Sequence, residues 1–131
     1  MLTTDIDEVI DRYRPAMADG NTAWADVAPA VREWVRAVGP THRRRALHLL
    51  YAASSIALWC VGESIPVSAA TALRDSTVER FCAAAERSER FSATTRSTMR
   101  SRLRAIAAAQ RVPGNAPASP AVSRRRVRDP Y

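Results

Sequence analysis

The stretch from Asp75 to Val112 constrains the fold most, because its apolar residues recur at helical rather than strand spacing. Ser76-Thr77-Val78-Glu79 has the spacing of a capping box, in which a serine hydroxyl accepts from the backbone N–H three residues on and the glutamate reaches back. The helix that follows carries Val78, Phe81, Cys82 and Ala85 on one face. After Ser88-Glu89-Arg90-Phe91, Ser92 stands as a second N-cap, and a long helix is predicted to run to Gln110. Thr95, Met99, Leu103, Ile106 and Gln110 share one face of it, and Arg96, Arg100 and Arg104 follow at four-residue steps beside them. Few acidic residues stand at matching spacing, so like charges along that stripe repel unless an anion answers them. Ser92, Thr94, Thr95, Ser97, Thr98 and Ser101 add hydroxyl donors, completing the usual inventory of phosphate contacts.

Helical spacing also governs the first half. Thr4 is expected to cap a helix with Asp5, Asp7 and Glu8 near its positive end and Ile6, Val9, Ile10 and Tyr13 on one face. Pro15 and Gly20-Asn21 break it. A second helix is predicted from Thr22 to Val38, bent or split at Pro29, with Val31, Trp34, Val35 and Val38 inward. Gly39-Pro40 ends it and Thr41 is read as the next cap. The third helix, His42 to Val61, is apolar on most sides and is therefore expected at the centre, with Leu47, Leu50, Ala53, Ile56, Ala57 and Cys60 in the core. Residues 62–74 read as a connector with a short turn at 68–73. Scarce glycine, abundant alanine and β-branched residues that do not alternate make the class all-α: a small helical bundle of about five helices with a disordered basic C-terminal tail. The bundle spans residues 1–112, of which 1–27 form an N-terminal helical extension. Residues 113–131, rich in proline and then in arginine, read as a flexible basic tail or interdomain linker.

Net charge is +7, and all 20 basic side chains are arginine. They are unevenly placed. Residues 1–40 hold seven carboxylates against four arginines, whereas residues 76–131 hold twelve arginines against four carboxylates. That polarity favours an oriented contact with a polyanion, and guanidinium makes forked bonds to phosphate. Arg43-Arg44-Arg45 opens the central helix at the end where the macrodipole disfavours cations. Either a phosphate backbone faces these three, or the acidic first helix offsets them.

Motifs for chemistry are lacking. His42 and His48, six residues apart, do not share a helix face, and neither HExxH nor CxxC occurs. No glycine pattern cradles a nucleotide. Cys60 and Cys82 read as buried reduced thiols in a cytoplasmic protein, Ser54-Ser55 as small packing residues. Met1 to Asp5 has no signal-peptide pattern, and the apolar run 46–62 is read as a core helix rather than a membrane span. No cofactor or metal is expected.

Asp75-Ser76-Thr77-Val78-Glu79-Arg80-Phe81, Phe91-Ser92-Ala93-Thr94-Thr95-Arg96 and Met99-Arg100-Ser101-Arg102-Leu103-Arg104-Ala105-Ile106 together resemble the N-terminal core-binding, SAM-like domain of tyrosine recombinases and phage integrases. The resemblance covers roughly residues 28–112. It implies a helical domain that clasps one face of duplex DNA through the backbone, while a separate domain, absent from this sequence, cuts and rejoins. The implied partners are double-stranded DNA and other recombinase subunits, with no membrane and no enzymatic activity of its own. The residues expected to contact DNA are Arg96, Arg100 and Arg104, with Arg43, Arg44, Arg45, Arg124, Arg125, Arg126 and Arg128 as secondary anchors. Tyr131 lacks catalytic surroundings and is not read as a nucleophile. The alternative is a small helical protein–protein interaction module or regulator anchored by one of Trp24, Trp34 and Trp59.

Overall fold

In a computed structural model, residues 3–16, 22–89 and 91–115 are described. They form six helices and no strand: α1 (Thr3–Arg12), α2 (Ala23–Val38), α3 (Arg43–Gly62), α4 (Ala69–Ala72), α5 (Asp75–Arg87) and α6 (Ala93–Gln110). The all-α bundle expected from helical spacing is therefore the architecture found, with the connector contributing the short α4.

The apolar helix α3 is central. It packs against α1, α2, α4, α5 and α6, and α6 lies across α2, α3 and α5. Leu49, Leu50, Ile56, Ala57 and Cys60 of α3 meet Val31, Trp34 and Val35 of α2 and Met99, Leu103 and Ile106 of α6 in one core. By length and composition alone α3 is apolar enough to cross a membrane, yet over half of that window is buried inside the bundle, as befits a core helix. Pro29 lies on the exposed side of α2, and the helix continues through it. The hydrogen bond it removes is one whose acceptor, on exposed Ala25, faces water.

Helix ends show where local spacing misleads. Ser92 caps α6 as predicted, its Oγ accepting from Thr95 N–H at 3.1 Å. The capping box at 76–79 does not form. α5 begins at Asp75, and Glu79 turns away to α6. Asn115 does the capping instead. Its Oδ1 accepts from Asp75 N–H at 2.8 Å and its Nδ2 donates to Leu73 O at 3.0 Å. Residues 113–115, the described start of the predicted tail, thus fold back onto the α4–α5 junction, and Val112 is buried. Thr41 does not cap α3, whose N-cap is His42 without a side-chain hydrogen bond.

Two helices close in the same unusual way. After α6, Arg111 adopts φ +54° while its N–H reaches Ala108 O and Val112 N–H reaches Ala107 O. After α3, Ser64 adopts φ +60° with the equivalent pair to Val61 O and Cys60 O. These are Schellman closures that favour glycine at the left-handed position, and only α2, ending at Gly39, supplies it. The apolar residues after the two strained ones, Val112 and Ile65, pack on the core and hold the closure in place.

Candidate nucleic-acid interface

The predicted arginine stripe is largely occupied by the protein itself. Arg100 Nε and Arg104 Nη2 both donate to Glu79 Oε2 of α5, at 3.0 and 2.9 Å. Arg96 donates to Phe91 O at 2.9 Å and approaches Glu86 at 3.9 Å. α6 itself holds no acidic residue at matching spacing, as its sequence shows, but α5 provides partners from across the helix–helix seam. Half-exposed pairs of this kind contribute about 1 kcal/mol or less each, but they fix how α5 sits on α6. One carboxylate against two guanidiniums still leaves a positive surplus on that seam.

The other edge of α6 differs. Arg102 stands about 200° around the helix from Arg104, two residues at 100° each. Its Nη2 lies 3.3 Å from Nδ1 of His48 on α3, and both residues are partly buried. Guanidinium only donates, so Nδ1 is the acceptor, and the neutral imidazole carries its hydrogen on Nε2. Burial first, then Arg102, Arg44 and Arg45, lower the His48 pKa. Burial and Arg45 likewise lower that of Arg102. Arg44 and Arg45, four and three residues before His48, project from the same side of α3 and are exposed.

Arg43 to Arg45 form the first turn of α3, whose N–H groups precede the first internal bond, Ala46 N–H to His42 O. Among the described residues no carboxylate lies within ion-pair distance of Arg43, Arg44, Arg45 or Arg102. The acidic first helix does not offset them. Its Asp7 and Asp11 bind Arg36 of α2, and Glu8 pairs with Arg12. The α1 C-terminus is closed by Arg32, which donates to Ile10 O and Tyr13 O. Tyr51 and Phe91 meet edge-to-face at 6.4 Å, one turn along α3 from His48.

Of the predicted anchors, the structure therefore brings Arg44 and Arg45 together with Arg102 and His48, and places Arg96, Arg100 and Arg104 on a separate seam. Arg124, Arg125, Arg126 and Arg128 lie outside the described residues. Arg102 and His48 do not stand out in the sequence as anion contacts. The available signal is position: Arg102 falls three residues after Met99 and four before Ile106, at the edge of the buried stripe. No family model, curated protein or solved structure matches the chain.

Other chemistry finds little support in the geometry. Burial pushes the Cys60 thiol up to about 11 and raises that of Cys82, so neither is a ready thiolate. Among the described residues no group of three metal-binding side chains converges. Trp24 and Trp34 are buried, whereas Trp59 is partly buried, with Phe81 edge-to-face at 5.6 Å and the Arg80 guanidinium 5.9 Å from its ring centroid.

Proposed function

We propose that this chain binds duplex DNA through the phosphate backbone, as a non-catalytic helical domain of the tyrosine-recombinase core-binding type acting in the cytoplasm. The observation that carries the reading is the cationic face of α3 and α6: Arg44, Arg45 and Arg102, with no carboxylate among the described residues within ion-pair distance of them. A cluster of like charges costs folding energy unless a partner discharges it, and a polyanion with closely spaced phosphates is the partner that fits. Arg96, Arg100 and Arg104 contribute the surplus charge of their seam, and the arginines at 124–128 extend the basic character along the chain. Contacts of this kind position a duplex without reading bases, so sequence discrimination is small and salt dependence steep.

Fluorescence anisotropy of a labelled random-sequence duplex, titrated at several salt concentrations, tests this. Affinity should fall linearly with salt on logarithmic axes, with a slope equivalent to several neutralised phosphates. Absence of binding at low salt would refute the reading.

A further inference from the structure

We propose that Arg45, His48 and Arg102, with Arg44 beside them, form a seat for one backbone phosphate, and that occupying it places a proton on His48, making DNA binding tighten as pH falls. This rests on the DNA-binding reading above and adds a regulation to it.

The seat is built around the meeting of Arg102 and His48. Because Nδ1 accepts from Arg102, the bond exists only while that nitrogen keeps its lone pair. A proton on Nδ1 abolishes the bond and sets two cations against each other. The charged groups acting on the ring are Arg102 from α6 and Arg44 and Arg45 from α3, all of one sign. Without a ligand, the seat is thus held in its neutral-imidazole form by geometry as well as by charge. A phosphate oxygen reverses both effects. It accepts from Arg102 in place of Nδ1, and its negative charge favours imidazolium, which then donates to it. One proton is taken from solvent acid per seat filled and forms the Nδ1–H bond of the imidazolium; no other covalent bond changes. An ordinary imidazole changes charge near the physiological range and DNA phosphodiesters do not, so the pH dependence belongs to the protein.

The test uses the full chain and the labelled random-sequence duplex at fixed low salt, at about pH 8 and about pH 5.5. Binding by the unsubstituted protein should tighten roughly tenfold at the lower pH, the equivalent of one pKa unit of displacement. His48→Gln should bind with little pH dependence, whereas His42→Gln, altered at the exposed N-cap, should keep it. Proton NMR of the imidazole gives a second readout: the His48 titration midpoint should rise when the duplex is added. Binding without pH dependence, tightening that survives His48→Gln, or an unmoved midpoint each overturns the proton-coupled seat while leaving the DNA-binding reading intact. Absence of binding at both pH values overturns the DNA-binding reading, and the seat with it.

Discussion

The two edges of α6 hold arginines of the same kind in opposite circumstances. Arg100 and Arg104 share one carboxylate of α5, while among the described residues Arg102 meets a histidine and further arginines of α3 and no carboxylate. On the first edge a guanidinium acts as a fastener between helices. On the second it is part of a charged face that no carboxylate among the described residues answers. Arginine content alone therefore does not distinguish the two edges; whether a carboxylate reaches each arginine does.

Reversing one charge gives the largest separation of the two edges. Arg102→Glu should weaken duplex binding by something on the order of a hundredfold, since a cation is removed and an anion introduced at the face. The same variant should melt no lower than the parent, because the new carboxylate lies beside Arg45 and His48. A thermal melt alongside the binding assay checks both halves. Asn115→Ala should cost about 1–2 kcal/mol by removing two hydrogen bonds at the α4–α5 junction, read by chemical denaturation, with affinity at saturating folded protein unchanged.

Glu79→Gln addresses the seam from its acidic side. Stability should fall by about 1 kcal/mol or less, given the half-exposed pairs, while DNA affinity rises severalfold as Arg100 and Arg104 are released. If affinity is unmoved or falls, those arginines do not face DNA when freed. Arg111→Gly, beyond the end of both edges, should stabilise by roughly 0.5–1 kcal/mol through relief of the left-handed backbone, with no effect on binding.

The smallest expected effect concerns pH and stability. The folded state lowers the His48 pKa, so the unfolded chain binds its proton more readily. The contribution is fully present above the unfolded value of about 6.5 and disappears as pH falls through the lower folded value. Denaturant midpoints at about pH 7.5 and about pH 5 should therefore differ slightly more for the parent than for His48→Gln.

How far the sequence could be read follows from the range of each interaction. The elements set by neighbours along the chain were legible: the central apolar helix, the run of α6 from its Ser92 cap to Gln110, and the burial of Met99, Leu103 and Ile106. Failures came where a nearby residue offered a plausible local role but a distant one won. Glu79 has capping-box spacing to Ser76, yet it serves two arginines 21 and 25 residues away. Thr41 looks like a cap but the helix begins one residue later, with an exposed arginine turn. Asn115 sits in a proline-rich stretch, and its bond to Asp75 crosses 40 residues. Arg102 lies off the four-residue series of its neighbours, and its significance depends on a histidine 54 positions back. Spacing along a helix assigns a face; it does not say which helix lies opposite.

The division of labour on α6 is tested most directly by comparing the salt dependence of duplex binding for two triple variants. Arg44→Ala, Arg45→Ala, Arg102→Ala should flatten the logarithmic slope by about 0.9 for each phosphate left without its cation, with the fold retained. Arg96→Ala, Arg100→Ala, Arg104→Ala should lower the melting temperature and leave most of the slope in place. Equal flattening by the two, or greater flattening by the second, would contradict this division and return the DNA-binding surface to the arginine stripe.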